Sequence, residues 1–243
     1  MSDLESEKLE ALAEFAAGAG HEINNPLAVI SGRAQLLLRG EDDPQRRQDL
    51  AIIHVQAMRI HDMIADLMMF ARPPSPDLRP ADLGPVVDSA LAALSAKSAT
   101  LEVQLIRAGE RAAAPAVVDA RQIEVAVRAL VDNALNACER GGRVTVELRR
   151  ASDDAQPPAW EIVVSDDGPG LTEEARRHAF DPFYSGRQAG RGLGMGLPKA
   201  WRIATNHGGS LAAEPSDRGA RFVLRVRGRE TASDAPSGAS LPS

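Results

Sequence analysis

The stretch Val163-Val164-Ser165-Asp166-Asp167-Gly168-Pro169-Gly170 joins an apolar run to two acids and two glycines. A β-branched run that stops at such a cluster predicts a strand that ends in a turn. A turn alone would account for this composition. A carboxylate at a strand end can also accept hydrogen bonds from a buried ligand amine, and Gly168 and Gly170 would let the backbone pass close to that ligand.

Helices and strands alternate on both sides of this stretch, which indicates an α/β domain. The hydrophobic periodicity predicts helices at 83–96, 120–139 and 197–206, and strands at 101–107, 116–118, 143–150, 160–165, 209–214 and 221–226. The last segment, 231–243, is rich in Ser, Pro, Ala and Gly and is predicted to be disordered.

The first third of the chain has a different pattern, typical of two long helices. Apolar residues recur at helical spacing over 4–39 and 44–71, with an acidic turn containing Pro44 between them. Such a hairpin leaves much apolar surface in water, so we expect two copies to form a four-helix bundle, which makes the chain a homodimer. The segment 72–76, Arg-Pro-Pro-Ser-Pro, predicts a stiff linker after the second helix.

The first helix carries the segment His21-Glu22-Ile23-Asn24-Asn25-Pro26. Small residues precede His21 and leave room for a bulky partner, while Asn25 lies on the same helix face one turn later. An imidazole with a pKa near ~6.5 is largely neutral and nucleophilic at neutral pH. On these facts alone, a structural role for His21 stays open beside a catalytic one.

Two further segments suggest ligand chemistry. Asn133 interrupts an apolar helical run, and its amide oxygen could coordinate a hard cation such as Mg²⁺, although this segment taken alone favours a helix-surface amide. Glycines alternate with other residues over Gly190–Leu197, where a helix begins. Backbone N–H groups at such a helix start suit phosphate, but no Gly-Lys-Ser/Thr follows, so this is not a Walker loop.

Composition excludes several classes of protein. The 243 residues carry a net charge of -6 without a basic stripe, which argues against nucleic-acid binding. The single cysteine, Cys138, excludes an internal disulfide and multi-cysteine metal sites. No apolar stretch approaches the ~20 residues of a membrane helix, so we expect a cytoplasmic protein. His54 and His61 share a helix face, but too few further ligands accompany them, and packing is the favoured interpretation.

Taken in order, these segments make the chain similar to the catalytic part of bacterial two-component sensor histidine kinases, over residues 8 to 227. The segments that carry the resemblance are His21–Pro26 (phospho-acceptor box), Asn133 (asparagine box), Asp166–Gly170 (first glycine box), Phe180–Ser185 (phenylalanine box), Gly192–Leu197 (second glycine box) and the turn His207–Gly209. The resemblance implies a dimerisation hairpin followed by an α/β sandwich with a mixed sheet and helices on one face. It divides the chain into a hairpin (1–72), a linker (73–80), an ATP-binding domain (81–228) and a disordered tail (229–243).

The resemblance also implies roles for individual residues. Asp166 would bind the adenine amine of ATP, and Asn133 would hold a Mg²⁺ ion that bridges the phosphates. Residues 171 to 191 would form a lid over the nucleotide. The other implied nucleotide contacts are Asn136, Gly168, Gly170, Arg187, Arg191, Gly192, Leu193, Gly194 and Gly196, with Cys138 nearby.

The implied reaction transfers the γ-phosphoryl group of ATP to His21 and then to an aspartate in the receiver domain of a response regulator. Glu22 would orient the ring or accept its proton, and Asn25 could orient water for reverse phosphatase activity. The input would come from a separate sensor protein or from a sensor domain missing from this sequence.

Three alternatives remain in view. A gyrase-type ATPase would carry a glutamate four residues before the metal-binding asparagine, where this chain has Ala129. A serine kinase of the anti-sigma type would not need the hairpin that carries His21. A dimeric scaffold with an inactive nucleotide site is disfavoured because every implied ligand residue is present.

Overall fold

The computed structural model of this chain describes residues 3–151, 159–184 and 194–228, without the side chains of 3–17, 19 and 21. These residues form two compact units. One unit contains the described residues up to Pro74 together with Gly194 and Met195, and the other contains the rest. The predicted tail at 229–243 lies outside the described residues.

The first unit is an antiparallel pair of helices, α1 (Asp3–Gly40) and α2 (Pro44–Ala71). The turn between them is held by capping on both sides. The Asp43 carboxylate accepts a hydrogen bond from the Arg46 backbone N–H at 2.9 Å, and Pro44 occupies the first turn of α2. The Arg47 guanidinium donates to the carbonyls of Leu38 at 3.1 Å and Glu41 at 2.8 Å, near the end of α1.

The hairpin buries little of its apolar surface within one chain. Among the described side chains of the hairpin, the buried apolar ones are Leu27, Ala34, Ala57, Phe70 and Ala71, whereas the exposed large apolar ones are Ile23, Val29, Ile30, Leu36, Leu37, Ile52, Ile53, Val55, Met58 and Ile60. Leu36 and Leu37 are each 60% exposed. No helix among the described residues has an apolar stretch long enough to cross a bilayer.

The second unit is an α/β sandwich. Its elements are β1 (Arg79–Asp82), α3 (Leu83–Leu101), β2 (Gln104–Gly109), β3 (Pro115–Val118), α4 (Ala120–Ala137), β4 (Arg143–Arg150), β5 (Ala159–Asp166), α5 (Glu173–Arg177), α6 (Gly196–Asn206), β6 (Ser210–Glu214) and β7 (Arg221–Arg227). The main sheet has the order β2-β4-β5-β7-β6, in which β2 and β4 are parallel and the other pairs antiparallel. The predicted mixed sheet is confirmed.

One face of this sheet carries the core, and the long helices cover it. In β4, Val144, Val146 and Leu148 are fully buried against the helices, while the alternating residues are only partly buried. The opposite face carries more charged residues, and there Arg149 donates to the Glu161 carboxylate at 2.9 and 2.8 Å. This alternation confirms the predicted arrangement of helices on one face.

The predicted boundary between α3 and β2 was wrong. We expected the helix to end at residue 96 and the strand to begin at 101, but α3 continues to Leu101 and β2 begins at Gln104. Glu102 adopts a left-handed conformation at φ 56°, and the Val103 N–H returns to the Ser98 carbonyl. A helix that ends in a left-handed residue normally has glycine at that position, and without a glycine the sequence carries no signal that the helix ends there.

Two short elements were not predicted. Strand β1 contains Pro80 and polar neighbours, and it exists because it pairs with β3, with Pro80 opposite Val117. Helix α5 spans only five residues and begins at Thr172, whose hydroxyl accepts from the Ala175 N–H at 3.0 Å.

Candidate active site

Helix α4 is the element around which the predicted ligand residues gather in the α/β unit. Its buried face, which includes Ile123, Val127, Leu130 and Ala134, packs into the core. Asn133 is therefore half-buried at the edge of that face rather than a surface amide.

Asp166 lies at the end of β5, and its side chain is buried, with 6% of the residue exposed. Its carboxylate oxygen Oδ1 accepts hydrogen bonds from the Gly168 N–H at 3.0 Å and the Ala220 N–H at 3.1 Å. The Asp166 N–H in turn donates to the Ala220 carbonyl at 3.0 Å. These bonds fix the carboxylate, because a buried charged group needs such partners.

Glycines bring neighbouring backbones into contact with this strand end. A Cβ on Gly168 would lie 2.8 Å from the Ala137 carbonyl oxygen, so the segment after Asp166 passes directly against the end of α4. A Cβ on Gly219 would lie 1.8 Å from the Asp166 carbonyl oxygen. Gly170, at φ 78°, packs against Gly219 in the same way. Close approach is therefore the physical reason for glycine at these positions.

The start of α6 lies beside α4 one turn before Asn133. A Cβ on Gly196 would come within 4.0 Å of the Ala129 carbonyl oxygen. The N–H groups of the first turn of a helix have no partner within the helix and favour an anion. Gly194 is described, with φ 70°, whereas Arg187, Arg191, Gly192 and Leu193 lie outside the described residues.

A charged cluster surrounds the site next to Asp166. The pKa of Asp167 is lowered chiefly by the hydrogen bond from the Arg143 N–H at 2.8 Å, against the opposing effect of burial and with help from the Arg218 cation. Burial, with a further contribution from the Asp166 charge, raises the pKa of the Cys138 thiol to about 11. Cys138 is thus a partly buried, protonated thiol.

The phenylalanine segment has one packed and one exposed ring. Phe180 meets Phe222 edge to face, with ring centroids 6.3 Å apart, and anchors the segment to the core. Phe183 is 51% exposed and has φ 64°. His178 contacts the Asp181 carboxylate at 2.6 Å. Ser185, the last residue of this box, lies outside the described residues.

The turn after α6 ties that helix to α4. The Asp119 N–H donates to His207 Nε2 at 3.1 Å, and His207 Nδ1 donates to the Ile203 carbonyl at 2.8 Å. A Cβ on Gly209 would lie 2.1 Å from the Arg225 carbonyl oxygen. This segment therefore positions α6 and its N-terminus.

Sequence reasoning missed two contributors to the asparagine helix. Lys97 on α3 forms an ion pair with Asp132 on α4 at 2.5 Å, and the Asp132 carboxylate accepts from the Asn136 amide at 2.9 Å. Lys97 lies 35 residues before Asp132, and nothing in a single sequence relates the two.

The histidine segment lies on α1 in the hairpin unit. The backbone of His21 is helical, and its side chain lies outside the described part of the structure. Glu22 and Asn25 are exposed. Across the hairpin, His61 Nδ1 contacts Asn24 Oδ1 at 3.0 Å. A Cβ on Gly20 would lie 2.8 Å from the Met68 sulfur, so the small residue does allow the helices to approach.

His54 and His61 bind α1 rather than each other. His54 Nδ1 lies 2.8 Å from the Ser31 hydroxyl, and its Nε2 lies 3.2 Å from the Gln35 amide. Within the described residues no group of three His, Cys, Asp or Glu side chains could hold a metal ion. Each of the two histidines therefore makes side-chain contacts across the hairpin.

Two sequence models match the chain in succession. Residues 11–76 match the His Kinase A (phospho-acceptor) domain. Residues 118–230 match the family described as histidine kinase-, DNA gyrase B- and HSP90-like ATPase. The first match covers most of the hairpin, and the second begins just before α4 and continues through the last strand.

Curated relatives are kinases of the same kind. Sensor histidine kinase ZraS from Klebsiella oxytoca is 30% identical over 228 residues, which are 92% of this chain and 48% of that protein. Sporulation kinase C from Bacillus subtilis (strain 168) is 29% identical over 224 residues, which are 91% of this chain and 50% of that protein. The chain thus spans about half the length of these relatives.

Solved structures share the fold. Full-length ShkA in complex with AMPPNP superposes with a TM-score of 0.76 at 21% identity, covering 90% of this chain and 47% of that one. ThkA in complex with the response regulator protein TrrA gives a TM-score of 0.66 at 20% identity, and the match covers 92% of this chain and 64% of that one. With both sequence models matched in order and sensor kinases as its relatives, the chain belongs to the histidine kinase family, of which it contains the phospho-acceptor and ATPase-type domains.

Proposed function

We propose that this chain is an ATP-dependent protein histidine kinase that phosphorylates its own His21. The observation that carries the proposal is the convergence on α4 of Gly168, which follows the buried Asp166 at the end of β5, and of the start of α6, on either side of Asn133. A carboxylate that accepts from an amine, an amide oxygen for a cation and N–H groups for phosphate are together what a nucleotide requires.

In this proposal Asp166 accepts a hydrogen bond from the adenine amine, while Gly168 and Gly170 keep the backbone close to the base. The donor set fits Mg²⁺ only together with the nucleotide, because the described residues offer no cluster of acidic or histidine ligands. Asn133 would hold the ion through its amide oxygen, and the bound ion would neutralise charge on the phosphates. Gly194 and Gly196, with the undescribed Arg187, Arg191, Gly192 and Leu193, would contact the phosphates.

Transfer of the γ-phosphoryl group then requires only that ATP and His21 be held in the right positions. The unprotonated imidazole nitrogen of His21 attacks the γ-phosphorus, the bond to the bridging oxygen breaks, and ADP leaves with the electron pair. Glu22 holds the ring or accepts the proton of its other nitrogen. The carboxylate of a receiver-domain aspartate next attacks the same phosphorus, and the N–P bond breaks to regenerate His21. Asn25 orients water in the reverse phosphatase reaction.

The hairpin supports a homodimer. A row of exposed apolar side chains, including Val29 at 63% and Leu36 and Leu37 at 60% exposure, would be buried in a four-helix bundle. We place the upstream sensor on another chain or on a further part of a longer protein, and the reaction in the cytoplasm, where ATP is available. The domain limits 1–72, 73–80 and 81–228 are those proposed for this organisation.

A gyrase-type ATPase is the weaker alternative. Ala129 stands where such an enzyme needs a glutamate to activate water, and a methyl group cannot accept a proton. A dimeric scaffold without transfer would bind nucleotide but incorporate no phosphate.

The test is incubation of the chain with γ-labelled ATP and Mg²⁺. We expect an acid-labile, base-stable label that is lost in His21→Gln and in Asn133→Ala. His54→Gln removes another histidine from the same hairpin and is the matched control, which should keep the label. Label that persists in His21→Gln, or release of inorganic phosphate without labelled protein, would reject the kinase proposal.

A further inference from the structure

His207 is a buried histidine at the end of α6, and both of its ring nitrogens are hydrogen-bonded. Only 6% of the residue is exposed. Nδ1 lies 2.8 Å from the carbonyl oxygen of Ile203, and Nε2 lies 3.1 Å from the backbone nitrogen of Asp119. A carbonyl can only accept and a backbone N–H can only donate, so Nδ1 carries the proton and Nε2 presents its lone pair. The ring is therefore neutral and is held in one orientation.

The bond between His207 and Asp119 joins the end of α6 to the start of α4. Asp119 is the N-cap of α4, and its carboxylate accepts from the N–H groups of Arg121 at 3.1 Å and Gln122 at 3.2 Å. The same carboxylate accepts from the N–H of Asp77 at 3.2 Å. The backbone N–H of Asp119 donates to His207, so one residue both caps α4 and anchors the end of α6.

The packing of α6 makes this bond important for the position of the helix. The buried residues of α6 are Pro198, Ala200, Ile203 and Ala204. Most of these side chains are short, and short side chains interlock less deeply with a neighbouring element, so they resist sliding of the helix along its axis less. The bond from the Asp119 N–H to His207 therefore fixes the axial position of α6 relative to α4. Because the helix of 11 residues moves as a rigid rod, this bond also determines where its first-turn N–H groups lie.

We propose that His207 is a positioning residue for the phosphate end of the nucleotide site. It acts through α6, whose first-turn N–H groups would contact the phosphates, whereas Asp166 on β5 would hold the adenine independently. The bond to Asp119 should therefore affect the binding of phosphates and not the binding of the base. The inference rests on the proposed function and adds a residue that sets the affinity for phosphate without touching the nucleotide.

The test compares two probes, AMPPNP and adenosine, which share the base and the ribose and differ in the phosphates. Binding to the whole chain with Mg²⁺ is measured by calorimetry for AMPPNP and by NMR titration for adenosine. His207→Phe keeps a flat ring and removes both hydrogen bonds, so we expect AMPPNP to bind about tenfold more weakly and adenosine to stay within about twofold of wild type. His207→Gln has a carboxamide with a donor and an acceptor, and it should recover part of the lost AMPPNP affinity.

A pair of substitutions at Asp119 tests the same bond from its other side, with His207 unchanged. Asp119→Ala and Asp119→Pro both remove the capping carboxylate, but only proline also removes the N–H that donates to His207. Asp119 has φ -82°, close to the value that a proline ring imposes. We expect Asp119→Pro to bind AMPPNP about threefold more weakly than Asp119→Ala, as is typical of one lost hydrogen bond. Adding His207→Phe to Asp119→Pro should cause little further loss, because the bond is already absent.

Thr205→Ala is the control on the same helix. It removes a hydrogen bond that stays within α6, from the Thr205 hydroxyl to the Arg202 carbonyl at 3.0 Å, and it should change the affinity for neither probe. Three results would overturn the inference by itself: unchanged AMPPNP binding in His207→Phe, an equal loss for AMPPNP and adenosine, or equal AMPPNP affinities in the two Asp119 variants. If the wild-type chain bound neither probe, the proposed function would fail, and the inference with it.

Discussion

Gly219→Ala should destabilise the α/β unit more than a change at any open turn glycine. The added Cβ would lie 1.8 Å from the Asp166 carbonyl oxygen and 2.9 Å from its carboxylate, far inside normal contact distance. Gly219 also has φ 67°, a left-handed conformation that costs a residue with a side chain about 1 kcal/mol. Displacing well-packed backbone adds roughly 1–3 kcal/mol. We therefore expect a total loss of about 2–4 kcal/mol in the free energy of unfolding.

Gly141→Ala is the matched control for this substitution. Gly141 has φ 79°, but no atom lies within 4 Å of its Cβ position, so only the conformational cost of about 1 kcal/mol applies. Urea unfolding followed by tryptophan fluorescence measures the difference, since both tryptophans, Trp160 and Trp201, lie in this unit. Equal losses in the two variants would refute the argument from close approach.

The same pair of variants connects the packing to the proposed site. Gly219 packs against the strand end that carries Asp166. Because the added methyl group would displace the Asp166 carboxylate, Gly219→Ala should also weaken AMPPNP binding by at least tenfold. Gly141→Ala should leave binding within twofold of the wild-type value. Normal binding in a destabilised Gly219→Ala would show that Asp166 does not contact the nucleotide.

Two further predictions concern pH and reactivity. Because burial raises the pKa of Cys138 to about 11, against the usual ~8.5, little of the thiol is ionised at pH 7.5. We therefore expect Cys138 to react with iodoacetamide at pH 7.5 at least one hundredfold more slowly in the folded protein than in urea, and to gain reactivity as the pH rises. Fast labelling of the folded protein at pH 7.5 would contradict this prediction. Burial tends to raise the pKa of Asp119, but the N–H groups of Asp77, Gln122 and Arg121 outweigh it and lower the pKa. The stabilisation from the Asp119 carboxylate is therefore complete above its unfolded pKa of about 3.9 and is lost as the pH falls through the lower folded value. Asp119→Ala should cost about 1 kcal/mol at pH 7 as a lost N-cap, and the difference from wild type should disappear in strong acid; a difference that does not depend on pH would refute the assignment.

Local sequence was sufficient to predict an element where its apolar pattern repeats, or where a residue type strongly favours one position such as a helix cap. The hairpin followed from apolar periodicity, and Asp43 before Pro44 has the composition of a helix start that the structure shows. The strand that ends at Asp166 was likewise predicted, since it depends on the composition of a single element.

The errors arose where an element depends on a distant partner. Strand β1 has weak local preference and is held by its pairing with β3, more than thirty residues later. The end of α3 was misplaced because Glu102, rather than glycine, adopts the left-handed conformation. The Ser98 hydroxyl, which donates to the Val103 carbonyl at 2.6 Å, supports that ending.

The sequence by itself determined the two-part organisation, the histidine helix and the order of the ligand-bearing segments, because each is encoded in neighbouring residues. Only the tertiary structure placed Gly219 against Asp166 and brought Lys97 to Asp132. Those facts depend on distances between segments far apart in the chain, and such distances are set by the packing of the whole core rather than by any local preference.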